Sequence, residues 1–268
     1  MACSVVHELL AFFIWPAELR ELSSRLALNH HRSKVTLLSS DPNGADGGER
    51  SVSPAAQQGE ARKGDDFAGM AALCLVIITI LAVLFNHPLS AGWFAWHPPL
   101  EAIGVVAMVY GAMILQPTAT PQTKAAGLAK HQLLILSVGF PASLLGTLAV
   151  AYNKSAKGKH HFTSWHAKIG LLCTLWLVVQ VALGGASVWF DGRAFGGGLK
   201  AKRVWKYHRI SGYILFILLM ATVHLGGQWS GWGSRNVSPV FRAVAYSLTP
   251  IVLIAALAIR TRTSKMGL

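Results

Sequence analysis

The sequence predicts an all-α integral membrane fold of six transmembrane helices. Three observations point there. Hydrophobic residues make up 53% of the 268 residues and charged residues only 13%, whereas a soluble domain carries about 25% charged residues. Mean hydropathy is +0.44. The apolar residues are gathered into long runs, and no stretch shows the alternation of a strand.

The runs lie at about 67–86, 97–115, 131–152, 165–190, 208–227 and 240–260. About 20 helical residues, rising about 1.5 Å each, cross the hydrocarbon core of a bilayer. The connecting segments are short, so consecutive helices are expected to be antiparallel neighbours. Residues 1–66 read as a separate region. "VVHELLAFFIW" is apolar but short, is interrupted by Glu8, and lacks the basic start and small-residue cleavage site of a signal peptide. Residues 39–66 are rich in Gly, Ser, Pro, Asp and Gln, the composition of a disordered tail. The expected organisation is a disordered cytosolic tail over 1–66, a transmembrane domain over 67–260 and a short basic cytosolic tail over 261–268.

The formal net charge is +13. Nucleic-acid binding is not required to explain it, because the charges sit between the apolar runs. On the side that holds the N-terminus are Arg62, Lys63, Lys124, Lys130, Arg193, Lys200, Lys202, Arg203, Lys206, Arg262 and Lys265. The opposite loops hold Lys154, Lys157, Lys159 and Arg235. The positive-inside rule then makes the first side cytosolic, with both termini on it. Cys3, Cys74 and Cys173 suggest neither a disulfide framework nor a metal knuckle.

Four histidines stand at the starts of four successive runs: His97, His131, His166 and His208. Helix direction alternates, so the second and fourth helices start on the non-cytosolic side and the third and fifth on the cytosolic side. Parity alone gives the pairs His97 with His166 and His131 with His208, stacked across the membrane. Ionisable side chains in lipid are expensive and usually face the bundle interior for a purpose. Two imidazoles from facing helices can hold a haem iron from both sides, leaving no free position, as in an electron carrier. No Cys-x-x-Cys-His is present, so such a haem would be non-covalent b-type. A single histidine at a helix end is explained by hydrogen bonds to headgroups or backbone; four in matched positions fit that explanation much less well. Zinc wants four converging ligands, and two pairs on opposite faces do not converge.

The segments "WHPPL" with His97, "KHQLL" with His131, "HFTSWHAKIGLL" with His166 and "WKYHRISGYILF" with His208 together resemble the cytochrome b561 family. The resemblance covers about residues 67–260 and is nearest to stand-alone members of animals and fungi. It implies a fold of six transmembrane helices whose middle four, helices 2–5, form a bundle around two b haems, with the same ligand pairs that parity gives. It also implies an enzyme: a transmembrane ascorbate-dependent oxidoreductase. Electrons would pass from cytosolic ascorbate, or a related reductone, to an acceptor such as monodehydroascorbate or ferric iron. The expected partners are that donor, that acceptor and the lipid bilayer; a homodimer is compatible with the sequence but not dictated by it. The resemblance does not specify which membrane houses the chain.

Lys130, Lys202, Arg203 and Lys206 flank the cytosolic histidines. Positive-inside anchoring accounts for such residues, and a basic mouth for an anionic donor is the functional alternative. In the family, basic residues close to the third- and fifth-helix ligands are implicated in donor binding. The family lysine lies a little upstream of Lys130, so the match there is inexact. On the other face, "KSAKGKHHF" holds His160 and His161, either a solvated loop or a receiver for the acceptor. His224 lies sixteen residues past His208, about 24 Å along the helix, and reads as a neighbour of the non-cytosolic haem layer or as an interfacial residue. His87, Trp93, Trp96, Trp165, Trp229 and Trp232 fit an aromatic belt. Glu101, one turn from His97, could accept an imidazole N–H or pair with Lys168. Gly184, Gly185 and Ala186 suit close helix packing. Pro98 and Pro99 suit the first turn of a helix and so help to set the height of His97.

Two rivals remain. A flavin-dependent ferric reductase needs nucleotide-binding domains, and no Gly-x-Gly-x-x-Gly opens a strand–helix unit here. A haem-free transporter or scaffold with interfacial histidines would purify colourless.

Overall fold

The computed structural model describes residues 65–86, 88–115 and 121–261. Among these the regular elements are all helical. Six helices are long and apolar enough to cross a bilayer: Phe67–Phe85, Leu89–Ile114, Thr123–Ala156, Trp165–Phe195, Gly198–Gly227 and Pro239–Arg260, called here the first to sixth spans. The tail expected over 1–66 lies outside the described residues except for Asp65 and Asp66, which open the first helix, Asp65–Phe85. His87 and residues 262–268 also lie outside them.

Two helix starts differ from the expected ones. The third span begins with the helix Pro121–Leu134 and the fifth with Gly198–Gly227, so His131 and His208 each sit ten residues inside a helix rather than at its opening. The added turns, "PQTKAAGLAK" and "GLKAKRVWKY", are polar yet rich in Ala, Lys, Leu and Gln, which are strong helix formers. These helices therefore run on past the apolar slab. His97 and His166 do lie at helix starts. A 3₁₀ turn, Gly92–Trp96, hands over to the helix His97–Ile114, whose second and third residues are Pro98 and Pro99. The fourth span begins with the helix Trp165–Val188, capped by the Ser164 hydroxyl, which accepts from the Ala167 amide at 3.3 Å.

Packing is closest within two hairpins, the second span against the third and the fourth against the fifth. The third span also touches the fourth and the fifth returns to the second, which closes a four-helix ring. The first span packs on the second and the sixth, and the sixth also packs on the second and fifth. Leu145, Leu172, Leu175, Val178, Val179, Ile214 and Ile217 point outward and are exposed, as expected for side chains whose solvent is lipid. Glycine sets the spacing of the first hairpin. A Cβ at Gly104 would collide with Ser143 Oγ and stand 3.0 Å from the Gly139 carbonyl oxygen. Small residues let membrane helices approach this closely.

Gly104→Val should destabilise the hairpin by about 1–3 kcal/mol through overpacking. The expected readout is a lower thermal midpoint of the detergent-solubilised protein. An unchanged midpoint would contradict the close approach of the second and third spans.

Candidate functional site

The hairpins hold their histidines by one repeated device. The Nδ1–H of His97, on the second span, donates to the carbonyl of Gly146 on the third at 3.1 Å. His131, on the third, donates from Nδ1 to the carbonyl of Gly111 on the second at 3.0 Å. His166, on the fourth, donates from Nδ1 to the carbonyl of Thr222 on the fifth at 3.0 Å. A carbonyl can only accept, so each Nδ1 carries the proton and each Nε2 keeps its lone pair, the tautomer a metal requires. His208 differs: its Nδ1 is buried without a hydrogen-bond partner, while its own backbone carbonyl accepts from Gln180 Nε2 at 2.9 Å.

Across the gap between the hairpins the rings face one another. His97 and His166 have ring centres 5.9 Å apart with planes at 72°. His131 and His208 have centres 6.5 Å apart with planes at 86°. An imidazole nitrogen binds a metal at about 2.0–2.1 Å, so two rings on opposite sides of one metal have centres about 6 Å apart. Both pairs have that separation. The pairs lie at different depths. Gly111, whose carbonyl meets His131, is 14 residues past His97, and Thr222, whose carbonyl meets His166, is 14 residues past His208. Both intervals correspond to about 21 Å of helix.

Glycines cradle two of the rings. A Cβ at Gly226 would stand 2.5 Å from His166 Cε1, and one at Gly184 would stand 3.0 Å from His208 Cε1. Gly184 thus touches an imidazole, whereas its neighbour Gly185 faces the Trp189 ring. Around His97 and His166 lies a largely apolar cavity of about 520 Å³. Its polar lining includes Glu101, Thr147, Lys154, His161 and Ser164. The loop after the third span folds over this cavity. Lys154 Nζ donates to the His160 carbonyl at 3.1 Å, and Ser155 Oγ lies 3.2 Å from His161 Nε2. His161 therefore faces the cavity while His160 does not line it.

At the other end Lys202 and Arg203 are exposed and Lys130 is partly buried beside His131. His224 is taken up by structure. Its Nδ1–H donates to the Tyr246 carbonyl at 3.0 Å, and its Nε2 accepts from Trp229 Nε1 at 2.8 Å. Lys168 lies over the Trp165 ring, 5.1 Å from its centre, rather than against Glu101. The Thr79–Tyr246 hydroxyl contact at 3.0 Å, also at the cavity wall, had no sequence signal because it joins the first span to the sixth. The carbonyl acceptors could not be read from side-chain identity at all.

Among the described residues no group of three or more His, Cys, Asp or Glu converges as a metal site. Each pair offers two imidazoles from facing hairpins, a donor set that would suit a haem iron. The fold and these sites define a multi-pass membrane cytochrome. The chain belongs to the eukaryotic cytochrome b561 family, a family of haem b proteins, whose profile matches residues 96–233, just over half of its length. It is 26% identical over 163 residues to the transmembrane reductase CYB561D2 of Bos taurus, covering 60% of this chain and 71% of that protein. The Mus musculus protein of the same name aligns to the same extent, again at 26% identity.

Gly226→Leu should displace the His166 ring and lower the haem bound per chain. Haem content unchanged by that substitution would show that the ring is not seated against Gly226.

Proposed function

We propose that this chain carries single electrons across its membrane through two non-covalent b haems, one held by His97 and His166 and the other by His131 and His208. The donor is cytosolic ascorbate or a related reductone, and the acceptor on the opposite side is monodehydroascorbate or a ferric chelate. The observation that carries this reading is the presence of two facing imidazole pairs, each at metal-binding separation, at two depths of one bundle. When bound, each haem would supply a one-electron Fe(II)/Fe(III) couple.

The protein's own part is orientation, exclusion of water and attraction of charge. Three Nδ1–H groups bonded to backbone carbonyls keep three imidazoles facing inward and raise their basicity. Largely apolar walls line the cavity around His97 and His166 and lower its local polarity. Lys154 and His161, at that cavity, suit an anionic acceptor. Lys202, Arg203 and Lys130, near His131 and His208, suit an anionic donor. The excess of Lys and Arg on that side supports a cytosolic location for it. The names of the relatives, both transmembrane reductases, support the same direction of chemistry.

The detergent-purified protein should show a low-spin b-type spectrum, bind two haems per chain and be reduced by ascorbate without a flavin or nucleotide. His97→Ala and His131→Ala should each remove about one haem. A colourless protein that cannot be reconstituted with haem would overturn the reading and leave a haem-free transporter or scaffold in its place. Replacing Lys202 and Arg203 together by Gln should slow reduction by ascorbate several-fold at low ionic strength, with the difference shrinking as salt is added. Equal rates at all salt concentrations would remove these two residues from the donor site.

A further inference from the structure

Glu101 has no part in the reading above, yet it is a carboxyl group within a membrane span, lining the cavity that holds His97 and His166. Such a residue in lipid calls for a reason. Every polar contact on its Oε1 comes from a donor. The Thr147 hydroxyl donates to it at 2.9 Å. The His97 Nδ1–H, already bonded to the Gly146 carbonyl at 3.1 Å, lies 3.7 Å away. Behind Thr147 stands the Thr174 hydroxyl at 3.2 Å, on the fourth span. A distance of 3.7 Å is too long for a hydrogen bond, but it sets a carboxyl group beside an imidazole in an apolar surround, where any charge it carries is felt strongly. The position is built for it. A Cβ on Gly146 would stand 3.0 Å from Glu101 Oε1 and 3.2 Å from Cγ, so glycine there both leaves room for the carboxyl and supplies the carbonyl that fixes His97.

We propose that Glu101 is a positioning residue for redox tuning: held by Thr147, its carboxyl group, in its ionised form, acts through His97 to lower the midpoint potential of the haem at the His97–His166 end. The inference rests on the proposed bis-histidine haem sites. The physical step is short. When ionised, the carboxyl would make the neighbouring imidazole a stronger electron donor and would favour Fe(III) over Fe(II) at a haem held there. At the other site Gly184 lies against the His208 ring and the Gly111 carbonyl against His131. Glu101 stands ten residues before Gly111, about 15 Å along the helix, so its influence falls mainly on the nearer haem.

The test is a spectroelectrochemical titration of the full-length protein in detergent, wild type against Glu101→Gln, with haem counted per chain. Glu101→Gln keeps the size and the Thr147 acceptor and removes only the charge. The expected result is two haems per chain, an upward shift in the midpoint potential of one, and no movement in the other. Two haems with both potentials unchanged would overturn the proposal. Should Glu101→Gln lose haem, Glu101→Met, which needs no polar partner, gives the same readout. Loss of one haem in both variants would make Glu101 a structural residue and would equally overturn the proposal. A wild-type protein without haem would instead sink the functional reading on which it rests.

Discussion

The structure depends on one constraint: an imidazole N–H placed in a membrane bundle must find its acceptor inside the protein. Water is not at hand, and an unpaired polar group there costs several kcal/mol. The chain meets this with backbone. His97, His131 and His166 each donate to a carbonyl on the other helix of their own hairpin. A helical carbonyl has two lone pairs, so it can serve the helix and the histidine together. The consequence reaches the whole fold. Two helices must be near enough for a side chain of one to touch the backbone of the other, and the glycines of the second and third spans allow that. The hairpins thus fix three of the four histidines, His208 being the exception, and the two hairpins meet through the rings.

Proline provides one further acceptor. Pro250 has no N–H to give to the Tyr246 carbonyl four residues earlier, and the helix passes this point through a π turn, Val244–Leu248. The released carbonyl accepts from His224, which ties the fifth span to the sixth. The third span has the same arrangement, with the π turn Ile135–Gly139 ahead of Pro141. His224, which the sequence left as a neighbour of the haem layer or an interfacial residue, thus joins two helices, and the reason is a proline on a different span.

The fold class was legible because bilayer thickness is a length, and six apolar runs match it. The partnering of His97 with His166 and of His131 with His208 was legible as proximity because antiparallel helices alternate direction. The helix boundaries were not. Hydropathy marks where a helix is bathed in lipid, whereas Ala, Lys and Gln carry the helix further, so His131 and His208 lie three turns inside. Glu101 was legible as a neighbour of His97 from its spacing of four. Its hold on Thr147 was not, since that contact joins residues 46 apart. Lys168, the alternative partner, is drawn to the Trp165 ring instead.

The two ends follow one design but are not equivalent, and the differences point the same way as the proposed function. His131 and His208 sit three turns inside helices whose outer turns carry exposed Lys200, Lys202, Arg203 and Lys206. That end presents positive charge to its surroundings, and His208 there has no acceptor on Nδ1. His97 and His166 sit at helix starts, under a loop that closes over an apolar cavity, and both have carbonyl acceptors. An imidazole whose N–H is bonded is the better electron donor to a metal. The same fold therefore offers two sites of unlike basicity, about 21 Å apart along the helices. In the proposed carrier the ligands at both ends would be the same pair of imidazoles, so a difference between the two haems would have to come from their surroundings.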